Sequence, residues 1–155
     1  TKELSLHNII LGVVENFSIK VQQKGGDIRT TLTATQDALY ADEMHITNVI
    51  YNLLDNAVKY RRQDVALQLE VKTWHPSHGV VCIAISDNGI GIKREAVRHI
   101  FERFYRVSTG DKHYVKGFGL GLAYVKAIIE LHHGHIKCES VTDEGTTFTI
   151  TMNTI

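Results

Sequence analysis

The stretch NVIYNLLDNAVKY, residues 48–60, decides how this chain is read. At about 100° per residue, Ile46, Val49, Ile50, Leu53, Leu54, Ala57 and Val58 cover one broad side of a helix. Asn48, Asn52, Asn56 and Lys59 fall within an arc of roughly 80° on the other side. Asparagine is a mediocre helix former, because its amide competes for nearby backbone groups. A solvated face is ordinarily built from Glu, Lys and Gln, so three asparagines in one row call for a reason. Each carries a neutral oxygen, which can ligate a hard cation such as Mg²⁺, and an NH2 that can donate to a phosphate oxygen. A carboxylate in the same place would repel a polyphosphate. A plain polar face remains the alternative from this helix alone.

Two glycine clusters bear on the choice. DNGIGI (87–92) closes a buried strand, and glycines there permit positive φ and close approach to a ligand. An Asp at such a strand end can accept a hydrogen from an exocyclic amino group. Adenine presents that group where guanine presents a carbonyl, so Asp87 would select adenine. An ordinary Asp-Asn-Gly turn fits the same residues. GFGLGL (117–122) opens a helix, where backbone N–H groups and the helix dipole make an anion site. It is neither the G-x-G-x-x-G dinucleotide fingerprint nor a G-x-x-x-x-G-K-[ST] P-loop, so a phosphate cradle here belongs to another nucleotide-binding fold.

Around these motifs the 155 residues suit one domain with a core of its own. Seventeen basic residues balance seventeen acidic ones, so no global field argues for nucleic acid or an anionic membrane. The longest apolar runs are too short to span a bilayer. Cys82 and Cys138 lie far apart, in no metal-type spacing, and read as reduced thiols in strands of a cytoplasmic protein. The chain opens on an amphipathic pattern without an initiating Met, as a piece of a longer protein would.

Leu6, Ile9, Ile10, Val13, Val14 and Phe17 predict a first helix that stops at Gly25 and Gly26. Strands are expected over 28–34 and 38–41. Asp42 then caps the long helix, which runs to about Arg61. Residues 67–74 and 80–87 read as paired antiparallel strands. A short helix is expected over 94–104, a mobile loop over 105–118, and a helix over 120–133 that stops at Gly134. HIKCES and TTFTITM supply two last strands. The sum is an α/β sandwich of the α+β kind: a mixed, mostly antiparallel sheet with about three helices on one face. His132, His133 and His135 could suggest a metal site, but the first two suit the last helical turn and the third a strand start.

In order and spacing these elements resemble the ATP-binding catalytic domain of sensor histidine kinases, whose Bergerat-type fold is shared with DNA gyrase and MutL. NVIYNLLDNAVKY looks like the N box, DNGIGI the G1 box, FERFYR (101–106) the F box, GFGLGL the G2 box and EGTTF (144–148) the final Gly-Thr motif. The similarity covers nearly the whole chain, and FERFYR separates histidine kinases from the rest of the superfamily. The resemblance implies two ligands, ATP and Mg²⁺. Asn52 would coordinate the metal, Asn56 would help with metal or phosphates, Lys59 would touch phosphate and Tyr60 would pack against adenine. Asp87 would receive the adenine amino hydrogen with Thr146 behind it through a water, while Gly89 and Gly91 let the base sit close. Arg106, and after it Arg103, would meet the reacting phosphates. Gly117, Gly119 and Gly121, with Leu122, would form hinge and cradle, and residues 105–118 a flexible ATP lid.

Two departures matter. ATP-hydrolysing relatives carry a glutamate where Asn48 stands, and an amide cannot serve as general base for water. Transfer to an incoming nucleophile needs mainly positioning and charge neutralisation, which suits a kinase. None of the nine histidines is followed by Glu or Asp, the context of the family's phosphoacceptor. The resemblance therefore places the acceptor on a separate dimerising hairpin, expected upstream of Thr1, and implies a homodimer and a downstream response regulator. It also implies a cytoplasmic setting, including that of the cytoplasmic part of a membrane-anchored sensor. A non-catalytic nucleotide-binding module and an anti-sigma-type serine kinase are the other readings of the same fold.

Overall fold

The computed structural model describes residues 1–105 and 121–155. The order is β1 (Lys2–Ser5), α1 (Leu6–Gln23), β2 (Asp27–Leu32), β3 (Ala38–Ala41), α2 (Glu43–Lys59), β4 (Gln68–Ser77), β5 (Val80–Asp87), α3 (Arg94–Val97), α4 (Gly121–Leu131), β6 (His135–Val141) and β7 (Gly145–Asn153). Five strands form one sheet in the order β2-β4-β5-β7-β6, and β1 pairs with β3 in a separate ribbon. Among the described residues β2 and β4 run parallel and the other ladders are antiparallel.

Alternation sets the two faces of the sheet. Leu69, Val71, Thr73, Val81, Ile83, Ile85, Phe148, Ile150 and Met152 point one way and are buried under α1, α2 and α4. The opposite face carries polar and charged side chains, with Lys72 paired to Glu70 and Lys137 to Glu139. The helix layer thus lies on one side, as the pattern of the sequence implies.

Helix α2 is the element on which the site depends. Asp42 takes extended φ/ψ and its Oδ1 accepts from His45 N–H at 3.0 Å, so an N-terminal donor is satisfied. The seven predicted apolar positions are all buried. Full burial of one Leu, Ile or Val side chain contributes about 1.5–3 kcal/mol, and that stripe fixes the helix's rotation. The asparagine row is thereby turned towards α4.

Three differences from the sequence reading have local causes. β1 has only four residues and too little alternation to be read as a strand; it exists because β3 pairs with it. β4 continues to Ser77, past Pro76, because the register shifts between Trp74 and Ser77 and spares the ladder a missing N–H. The helix expected over 94–104 ends at Val97, and bonds from His99, Glu102 and Tyr105 N–H to the carbonyls three residues back make successive tight turns instead. Both cysteines are free thiols, Cys82 on β5 and Cys138 on β6. Among the described residues no helix is long and apolar enough to cross a membrane.

Candidate nucleotide site

A cavity opens where the end of α2, the end of β5 and the start of α4 meet. Ile92, Ile100, Tyr105 and Leu122 give it apolar walls, and Asn56, Tyr60, Asp87 and Thr146 supply its polar groups. Asp87 is the last residue of β5, facing the helices between Leu69 and Thr146 on its neighbouring strands. One carboxylate oxygen, Oδ1, accepts from Gly89 N–H at 2.8 Å and Thr146 N–H at 3.3 Å. The other has no hydrogen-bond partner among the described residues. Burial pushes the Asp87 carboxyl up from its ordinary 3.8 to about 6, against the opposing pull of those two N–H donors. A cramped, half-buried carboxylate with one open oxygen is a directed acceptor for a ligand N–H.

The turn after Asp87 is clamped from two sides. Ile90 N–H donates to Tyr60 O at 3.0 Å, and Asp143 N–H donates to Ile90 O at 2.7 Å. A side chain on Gly89 would lie 2.5 Å from Tyr60 O; one on Gly91, which has φ 73°, would lie 2.3 Å from Val141 O. The room these glycines leave is thus taken by the protein's own backbone, as well as lining the cavity at Gly91. Asn88 completes the clamp: its Oδ1 accepts from Gln68 N–H at 2.8 Å, its NH2 donates to Ala66 O at 2.9 Å, and its carbonyl accepts from Arg62 Nε at 2.9 Å.

Beyond the cavity the amide row continues along α2. Asn52 donates its NH2 to Asn48 O at 2.7 Å, which leaves its Oδ1 directed outward. That oxygen faces the first turn of α4: a Cβ on Gly121 would sit 3.3 Å from it. An amide oxygen with no partner among the described residues thus lies beside the first turn of α4, next to the cavity that Asn56 and Leu122 line.

Residues 41–154 match the family described as histidine kinase-, DNA gyrase B-, and HSP90-like ATPase. The chain belongs to this family. It is 52% identical over 151 residues to the sensor protein RprX of Bacteroides fragilis, covering 97% of this chain and 29% of that one, so it spans under a third of that relative's length. The sensor protein kinase WalK of Staphylococcus aureus is 42% identical over 111 residues, 72% of this chain and 26% of that one. The mycobacterial sensor histidine kinase MprB superposes with a TM-score of 0.83 at 24% identity, over 98% of this chain and 97% of that one. The named relatives are thus sensor histidine kinases, and the domain has the fold of their catalytic part.

The ATPase domain brings Asn56, Tyr60, Asp87, Gly91, Leu122 and Thr146 of the expected site residues to one cavity, with Asn52 and Gly121 beside it. Two others sit apart. Lys59 Nζ pairs with Asp55 at 3.0 Å, one helical turn back, and is not part of the cavity lining. Arg103 is exposed, its guanidinium over the Phe104 ring at 5.7 Å. Arg106, Gly117, Gly119 and all of 105–118 except Tyr105 lie outside the described residues. His132, part of the suspected histidine cluster, is bound to Ile128 O through Nδ1 and accepts from Asp42 N–H through Nε2.

Sequence reading missed Ile92, Ile100 and Tyr105. They stand in or beside quoted motifs, and their apolar character is a sufficient signal for a base-sized pocket. Ser140 on β6 carries no such signal: it meets Thr146 only through the β6–β7 register, its Oγ 2.8 Å from Thr146 Oγ1.

Proposed function

We propose that this domain binds Mg·ATP and donates the γ-phosphate to a histidine on a separate dimerising hairpin, for relay to a response regulator in a cytoplasmic two-component pathway. The observation that carries the proposal is the carboxylate oxygen of Asp87 that has no partner among the described residues, in a cavity whose wall includes Asn56, one helical turn from the Asn52 amide oxygen.

Asp87 and the apolar walls suit an aminopurine, the flat uncharged end of the ligand. Asn56 and the first turn of α4 suit the phosphates, through an NH2 donor and the positive end of a helix dipole. The donor set also fits a hard cation, since Asn52 offers a neutral oxygen where the phosphates supply the charge. A bound Mg²⁺ would neutralise the polyphosphate and hold it in place for transfer. Asn48 is exposed, with its NH2 3.5 Å from the Tyr124 hydroxyl, and as an amide it gives water no base. That favours transfer to a nucleophile over hydrolysis. A nucleotide in the cavity accords with one neighbour of the same fold, full-length ShkA in complex with AMPPNP, which superposes at TM-score 0.82 and 24% identity over 98% of this chain and 31% of that one.

The test combines the domain with the histidine-bearing hairpin of its parent protein, Mg²⁺ and γ-labelled ATP. Acid-labile phosphate on the hairpin is expected. Retained ATP binding without any phosphohistidine would leave only a nucleotide-binding module, and acid-stable label on a partner would indicate a serine kinase.

A further inference from the structure

We infer that Ser140 sets the purine specificity of the cavity by fixing the direction of the Thr146 hydroxyl; the inference rests on the nucleotide reading above. Ser140 and Thr146 are direct cross-strand partners on β6 and β7, on the sheet face that meets Asp87. A serine hydroxyl has one hydrogen to give and two lone pairs. Ser140 Oγ donates to Gly145 O at 2.9 Å, which only accepts, and it accepts from Ile92 N–H at 2.7 Å. Its one remaining lone pair meets Thr146 Oγ1 at 2.8 Å. With the serine proton already committed, Thr146 must be the donor in that contact.

The consequence reaches the ligand. Thr146 lines the cavity but has spent its only hydrogen on Ser140, so it offers the cavity lone pairs alone. Its own backbone N–H is spent on Asp87 Oδ1. Asp87 presents an acceptor through its open oxygen. Two acceptors therefore converge on the same end of the cavity. An exocyclic amino group, with two N–H donors, satisfies both; a keto oxygen at that position of the ring meets lone pairs from both sides. A site built to hydrogen-bond one group rejects the analogue that leaves its buried polar atoms unpaired. Ser140 touches no ligand in this scheme. It is a positioning residue that acts through Thr146.

Competition against a fluorescent ATP analogue tests this with two probes, ATP and inosine triphosphate, which differ in the exocyclic amino or keto group and in the hydrogen that inosine carries on the adjacent ring nitrogen, the second difference being the same for every variant. In Ser140→Ala the Thr146 hydroxyl is free to turn its hydrogen into the cavity and donate to the keto oxygen. The ATP-over-inosine preference should fall on the order of tenfold, the worth of one reversed hydrogen bond. With Thr146→Val already in place, Ser140→Ala should leave the preference unchanged, because the group it acts through is gone. General damage to the hairpin would lower both affinities and leave their ratio alone. Ser140→Cys, a weaker donor and acceptor of similar shape, should shift the ratio in the same direction by less, and serves if the alanine variant does not fold. An unaltered ratio in Ser140→Ala, or an equal fall with and without Thr146→Val, overturns the assignment of Ser140 while ATP still binds. Absence of ATP binding to the unmodified chain overturns the reading of the site itself.

Discussion

Asp87 carries opposing demands in one side chain. Its pKa is raised in the fold, so the folded state holds the proton more tightly than the unfolded chain does. Stability without ligand is therefore greatest below the ordinary carboxylate pKa of 3.8 and is lost as pH rises from there through about 6. A rise of roughly two units corresponds to about 3 kcal/mol above that window. Asp87→Asn removes the cost, because an amide oxygen still accepts from Gly89 and Thr146 N–H while its NH2 turns to the cavity. The variant should unfold at higher denaturant concentration than the parent at pH 7.5, with the gap closing towards pH 4. It should also bind ATP more weakly, by about 1–3 kcal/mol, since two N–H donors then face each other. In the unmodified chain ATP affinity should rise with pH through about 6. Equal unfolding midpoints at both pH values would show that the carboxylate is not held in the strained environment described.

At the scale of elements, the sequence was most legible where a period and a cap agree. α2 has a seven-residue apolar stripe, an Asp cap and a polar row on the reverse side, and it is found with the expected start and within two residues of the expected end. The 94–105 segment has helix-compatible residues but no full apolar stripe, and short-range turns win there. β1 is legible only once β3 is known to lie beside it. Asn52 tests whether the α2 row is functional. In Asn52→Ala the helix gains intrinsic propensity and loses one exposed bond to Asn48 O, so stability should change by less than about 1 kcal/mol. The Mg²⁺-dependent part of ATP binding should vanish in titrations with and without the metal. Undiminished Mg²⁺-dependent affinity would remove the amide oxygen from the metal's ligands.

Over the whole molecule, the cavity is assembled from pieces more than eighty residues apart in sequence, from Asn56 to Thr146; core packing places α2, β5, α4 and β7, and the loops at their ends complete the cavity's edge. This is why its motif residues were recognisable one by one while their connections were not. The main connection is Asn88, whose two side-chain bonds tie the segment after α2, which begins with Tyr60, to the turn that follows Asp87. The hydrophobic layer between sheet and helices does not include it, so loosening it should spare the core. Asn88→Ala deletes an acceptor for Gln68 N–H and a donor for Ala66 O at solvent-accessible positions. Global stability should fall by about 1–2 kcal/mol, the range of one or two exposed bonds. The effect on nucleotide binding should be selective: Tyr60 and Asp87 would be held less firmly against one another, by the Ile90 and Arg62 bonds alone, and ATP should bind several-fold more weakly with the metal dependence intact. Hydrogen exchange should quicken at Gln68 and Ile90 N–H, which the clamp protects, and not in α1 or β5. Exchange that quickens uniformly would mean that Asn88 supports the entire fold rather than the edge of the cavity.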